Sequence, residues 1–249
     1  MSLQIRSRHG FSLLDSLIVI SIIAVLVSLS IPVLASARDS AADLKSLSNL
    51  RSHAQILALY ATDWDDWFPQ FADPAADYSV VRDRRTTVVF EYFVGVVYWP
   101  IALSDQYYDG AVVGSGGLFL HEFSDPGMFN IYYFSSSLMA SPAYWNRETR
   151  LAGRSQWGGC RVTQVRFPSA KAQLWEWHPT RPLPIAYESY VREVAGVALG
   201  LVDGSANRFH TRDLVPPYPF GDGREHGSYL PIGIFGLHTV DGWLGRDVR

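Results

Sequence analysis

Hydrophobic and polar positions fall into three regimes along the chain. Residues 16–37, SLIVISIIAVLVSLSIPVLASA, carry no charge and show no periodic polar face. At ~1.5 Å of rise per residue, such a run forms a helix long enough to cross a hydrocarbon layer of ~30 Å. Over residues 41–61 the pattern changes. Leu44, Leu47, Leu50, Ala54, Leu57 and Ala61 recur every three or four positions, and Lys45, Ser48, Asn49, Arg51, Ser52 and Gln55 fill the other faces. That spacing predicts an amphipathic helix with one stripe packed on a folded body. It is continuous with the apolar run across Pro32 and ends near Thr62 and Asp63.

The third regime is β-like. Runs rich in valine and aromatics at 86–98, 117–123, 130–134, 161–167, 172–177 and 194–202 are separated by Gly, Pro, Ser or Asp clusters, which predicts strands. The best local signal is VALGLV at 197–202, then Asp203-Gly204, then SANRF at 205–209. An Asp-Gly pair between such segments predicts a tight hairpin, because glycine accepts positive φ there. Residues 215–249, rich in Gly and Pro, read as loop with short strands. The expected fold class is α+β: a long N-terminal helix, membrane-spanning in its first half and amphipathic in its second, packed on a C-terminal antiparallel β-sheet domain.

Composition narrows the function classes. The 249 residues are 48% hydrophobic and 14% aromatic, enough for one globular domain beyond the helix. A net charge of -3 with only 18% charged residues argues against a nucleic-acid surface spread over the whole protein. Arg82, Arg84 and Arg85 form the compact basic cluster. We read it as a solvated loop, with a DNA or surface contact as the alternative. Cys160 is the only cysteine, which excludes an intramolecular disulfide and argues against a Cys-based metal site.

Charges flanking the apolar run set an expected orientation. Arg6, Arg8 and His9 precede it and an acidic-leaning segment follows. The positive-inside rule then places the N-terminus in the cytoplasm and the body outside the inner membrane. Asp15 stands at the cytoplasmic start of the run. Either it marks the interface, with the span beginning at Ser16, or it needs a cationic partner. Phe11 lies one helical turn earlier, and a cut after Gly10 would give it a free amine for Asp15 or for a neighbouring subunit's Asp15. A rival reading takes Ala35-Ser36-Ala37 as the end of a secretory signal peptide. Against it, the run exceeds the ~7–15 residues of such a segment, and helical patterning continues past Ala37.

The stretch RHGFSLLDSLIVI at 8–20 resembles the prepilin signature of type IV pilins and type II secretion pseudopilins. The resemblance implies cleavage between Gly10 and Phe11 by a prepilin peptidase, and methylation of the new Phe11 amine. It further implies a proline kink at Pro32 and a role for Asp15 in subunit assembly, where the family usually carries glutamate. The expected organisation is a leader at 1–10, a transmembrane helix at 11–37, an amphipathic helix at 38–62 and a β-rich pilin-like body at 63–249. Partners implied are the prepilin peptidase, other pilin or pseudopilin subunits, inner-membrane assembly machinery and membrane lipid, in a secretion or pilus-like filament.

Later segments are similar to a bacterial pilin-like group named after a C-terminal His-x9-Asp-Gly motif. YATDWDDWFP at 60–69 resembles its helix exit, and Pro168-Ser169-Ala170-Lys171 resembles another of its segments. Arg192, Gly196, Asp203 and Gly204 match the terminal motif, but Glu193 stands where the histidine should be and Ser205 replaces a second one.

Signatures of catalysis are absent from the sequence. It holds no G-x-S-x-G elbow, no phosphate-binding loop and no H-E-x-x-H zinc helix. Gly221, Gly223 and Gly227 are misspaced for a dinucleotide fingerprint, and His121-Glu122 lacks a second histidine. His178, His210, His226 and His238 are scattered. Asp63, Asp65 and Asp66 lack the glycine and distal glutamate of a calcium loop, and read as a solvated acidic turn. The expectation is a structural subunit with no cofactor, no metal and no enzymatic activity.

Overall fold

The computed structural model describes residues 13–82, 87–108, 132–176, 185–187, 190–191, 193–194, 196–218 and 233–249. Helix α1, Leu13–Asp63, runs without a break through Pro32. The chain divides into two units, Met1–Leu44 and Lys45–Arg249.

Within the second unit, α1 buries Ser46, Leu50, His53, Ala54, Leu57 and Ala61. These positions recur at three and four residues, so they share one face. The expected stripe is corrected at its start: Leu44 is 69% exposed and Leu47 is only partly covered. Polar Ser46 and His53 enter the buried face because each finds a partner. Ser46 Oγ donates to the Glu176 carboxylate and lies 3.3 Å from the Tyr132 hydroxyl, and His53 Nδ1 is 3.0 Å from the Tyr108 hydroxyl. Two left-handed residues, Asp65 and Asp66, at φ 53° and 63°, turn the chain just past the helix end. Aspartate tolerates that region better than most non-glycine residues.

After the helix come an antiparallel ribbon of β1 (Ser79–Arg82) and β2 (Thr87–Phe90) and a second helix, α2 (Gly95–Tyr107). The expected strand at 86–98 is therefore only half right. Its second half is helical and buries Val96, Trp99, Pro100, Leu103 and Ser104 at helical spacing.

The main sheet has four antiparallel strands in the order β3 (Tyr132–Phe134), β4 (Ala172–Glu176), β7 (Val197–Leu201) and β8 (Ala206–Phe209). A smaller sheet joins β5 (Ile185–Tyr187), β6 (Tyr190–Val191) and β9 (Gly233–Ile234) in the order β6-β5-β9. All of β4 and β7 is buried. Leu174 and Ala198 belong to the core on the α1 side, while Trp175, Val197, Leu199 and Leu201 pack with Ile234, Phe235 and Leu237 on the other. Burial on both faces explains the unbroken apolar run in β7. At Gly200 an added Cβ would sit 3.3 Å from Leu174 Cβ and 3.6 Å from the Leu50 carbonyl oxygen, so the missing side chain lets helix and sheet approach closely.

The expected strand at 161–167 is not one. Val162–Gln164 forms a short 3-10 turn. Its amides are satisfied locally: Val162 donates to the Asp66 carbonyl at 2.7 Å, Gln164 to Arg161 at 3.0 Å and Val165 to Val162 at 3.1 Å. With those donors committed, no ladder can form there. The expected strand at 117–123 lies outside the described residues.

Candidate functional site

The first unit's helix is the candidate site. Between Leu13 and Leu34, fifteen large aliphatic side chains are exposed, from Val19 at 45% to Leu13 at 91%. They cover every side of the helix. A helix apolar all round belongs inside a membrane or a larger apolar assembly. Its polar groups are quenched from within: the hydroxyls of Ser21, Ser28 and Ser30 donate to the carbonyls of Leu17, Val25 and Leu26 at 2.8, 2.8 and 2.7 Å. Internal hydrogen bonding of this kind is what lets a polar side chain enter hydrocarbon. This helix is long and apolar enough to cross a membrane.

Leu17, Ile18, Ser21, Ile22, Val25 and Leu26 outline a shallow apolar groove along one side. Asp15 lies exposed in the first helical turn. Pro32 removes one backbone donor, and the helix continues past it. Gly10 and Phe11, the expected cleavage pair, lie outside the described residues, as do Arg84, Arg85 and the glycines at 221, 223 and 227.

Asp203 and Gly204 form the β7–β8 turn, though not as a two-residue loop. Gly204 N donates to the Leu201 carbonyl at 3.0 Å and Leu201 N to Ser205 at 2.7 Å, giving a three-residue loop with Gly204 left-handed at φ +86°. Asp203 Oδ1 accepts from the Ser205 amide at 2.9 Å and the Ser205 hydroxyl at 2.7 Å. The Asp203 amide donates to the Pro168 carbonyl at 3.2 Å. Two of the segments read as similar to the pilin-like group are thus bonded to each other. Their work here is to close a turn.

Sequence reasoning missed the polar chemistry inside the body. Lys171 is fully buried; its ammonium donates to Ser137 Oγ at 2.5 Å, to Thr239 Oγ1, and to Asp247 Oδ2 at 3.1 Å. Asp247 also accepts from the Ala172 amide at 2.8 Å and the Thr239 hydroxyl at 2.7 Å. Burial pushes the Lys171 pKa down, and the Asp247 charge opposes that shift. A serine beside a lysine suggests a nucleophile and base, but both are sealed from solvent. Arg208 pairs with Glu176 at 3.0 Å in a second buried network. The sequence signal for either was a lone charge beside or within an apolar strand segment.

His121, Glu122, His178, Arg192 and His226 lie outside the described residues, and the candidates within them are held by packing or local bonds. Burial pushes the Cys160 thiol up to about 12. His238 stacks on Trp145, and its Nδ1 accepts from the Ile234 amide at 3.2 Å. His210 accepts from the Arg212 amide at 3.3 Å. In the acidic turn, Asp65 pairs with Arg161 at 2.6 Å and Asp63 accepts from the Tyr107 hydroxyl at 3.0 Å. Among the described residues no group of three or more His, Cys, Asp or Glu is placed to hold a metal ion.

A long apolar N-terminal helix followed by a β-sheet body is compatible with a pilin-like architecture. No protein-family model matches the chain, and neither a curated protein nor a solved structure matches it.

Proposed function

We propose that the chain is a pilin-like or pseudopilin structural subunit, held in the inner membrane by its N-terminal helix and assembled with copies or relatives into a secretion or pilus-type filament. The observation that carries this reading is the exposed apolar helix, uncharged from Ser16 to Ala37, starting directly after the Gly10-Phe11 junction and Asp15. A prepilin peptidase would cut after Gly10, leaving Phe11 to be methylated. The N-terminus would stay on the cytoplasmic side and the body would fold in the periplasm. Ile18, Ile22, Val25, Leu26 and Leu29, all at least half exposed, would then pack laterally against neighbouring helices by van der Waals contact. Asp15, disfavoured in an apolar bundle without a cation, would set axial register against a neighbour's Phe11 amine. The body's buried polar networks support a scaffolding role over a catalytic one.

The test is the mass of the membrane-extracted N-terminus, in cells with and without the prepilin peptidase. The expected mature chain starts at N-methylated Phe11 and disappears without the peptidase. A chain starting at Arg38, or an intact Met1 end in both strains, overturns the reading.

A further inference from the structure

The ribbon of β1 and β2 has two unlike faces. Alternation along the paired strands puts Ser79 and Val81 on one face with Val88 and Phe90, and Val80 and Arg82 on the other with Thr87 and Val89. The first face is closed: Ser79, Val81 and Phe90 are buried, and Val88 packs against the core beside them. The second is open. Val80 and Val89 stand directly opposite each other, and both are 61% exposed. A sheet face turned to water ordinarily carries polar residues, so a valine pair at its centre is out of place there.

Charges flank that pair on opposite sides. Arg82, two residues beyond Val80, is the last residue of β1 rather than part of a loop, and it is exposed. Glu91, two residues beyond Val89 at the other end, continues the extended backbone of β2 at φ -74° and ψ 155°. Tyr78 lies at that same end, two residues before Val80, and is also exposed. The side chains of Arg82 and Glu91 have no hydrogen-bond or ion-pair partner among the described residues. One end of the open face is therefore cationic, and the other is acidic with an aromatic ring.

We propose that this face pairs with the same face of a second copy of the chain, across a two-fold axis running perpendicular to the strands. Such an axis reverses the strand direction. Val80 and Val89 then meet their own counterparts at the centre, and Arg82 of each copy meets the Tyr78 and Glu91 end of the other. Each guanidinium gains a carboxylate and an aromatic face, and every contact occurs twice. A partner surface of one sign would leave one charged end unmatched, whereas a second copy matches both. The apolar area is small beside the ~1,200–2,000 Å² of a stable interface, so the pairing is weak and reversible. The inference concerns the body alone and rests on neither the membrane nor the filament reading.

Oxidative cross-linking of the detergent-solubilised full chain tests it. Cys160 is the only native cysteine and is fully buried, so Val89→Cys supplies the one accessible thiol. A disulfide needs Cβ atoms within about 4.5 Å, which holds only if the two copies of position 89 meet. Val89→Cys is expected to give a cross-linked dimer, and Leu244→Cys, exposed outside the ribbon, is not. Adding either Arg82→Glu or Glu91→Arg to Val89→Cys should lower the yield about tenfold, because each reversal turns two attractions into repulsions. Both reversals together should restore it. So should mixing the two single reversals, since opposite charges then face each other only between copies. All four positions are exposed, so the body's unfolding midpoint should not move. No dimer from Val89→Cys, an equal yield from Leu244→Cys, or a yield indifferent to the charge reversals overturns the proposal. So does a mixture of the two reversals that fails to recover.

Discussion

Residues 17–34 and the strands β4 and β7 draw on the same aliphatic side chains and meet opposite fates. Leu17, Ile22, Leu29 and Leu34 are 63%, 54%, 65% and 72% exposed, whereas Leu174 and Leu199 are fully buried and Leu201 is 3% exposed. Hydrophobicity does not separate the two regions. What separates them is whether the chain brings a second layer to each face. The sheet has α1 on one side and the Ile234–Leu237 segment on the other. Among the described residues of its own unit, the first helix has no such layer. Taking its fifteen exposed aliphatics out of water would be favourable by roughly 20–45 kcal/mol at ~1.5–3 kcal/mol per fully covered side chain. Such a surface calls for lipid or neighbouring helices.

The contrast can be broken most forcefully from inside the body. Lys171→Met strands the Asp247 carboxylate in the core and should cost about 3–5 kcal/mol in denaturant unfolding. Adding Asp247→Asn, whose amide oxygen can accept from Ala172 while its NH2 donates to the Thr239 hydroxyl, should recover most of that loss. Recovery would show that the uncompensated charge, and not the lysine stem, carries the effect. Next in size, Ile22→Lys should disfavour membrane insertion by about 2.5–3.5 kcal/mol, read as a shift from the membrane to the soluble fraction. The body's unfolding midpoint should stay unchanged, since Ile22 contributes nothing to its core. The smallest expected effect is at the β7–β8 turn. Gly204→Ala forces a Cβ into left-handed backbone and should cost about 1 kcal/mol, measured as a lowered midpoint with unchanged m-value.

Legibility followed how local the determinants are. The apolar run, the amphipathic continuation and the Asp203–Gly204 turn were readable because each is a short-range pattern with a direct geometric consequence. The error at 86–98 arose because valine and aromatic residues favour strands in general, while α2 is selected by the burial of Val96, Trp99 and Leu103 together. A continuous apolar run does not distinguish those outcomes. At 161–167, Gln164 Oε1 accepts from the Arg161 amide at 2.8 Å, a side-chain bond that turns the backbone away from a ladder. The Lys171–Asp247 pair joins positions 76 apart and meets only through the fold. Periodicity carries no information about such meetings. The reading of Gly10-Phe11 as a cleavage junction rests on a resemblance and lies outside the described residues.

The position of Asp247 has a consequence for biogenesis. The residue completing the Lys171 site is also tied by its amide to Ala170, and Val248 and Arg249 bond back to Ala170 and Asp213. Until residue 247 has emerged from the ribosome, the lysine that leads into strand β4 has no counter-charge, and its sheet cannot close at low cost. The nascent chain therefore presents a finished apolar helix long before a finished body. Quality control on this protein is expected to act late, once the segment carrying Asp247 has been made.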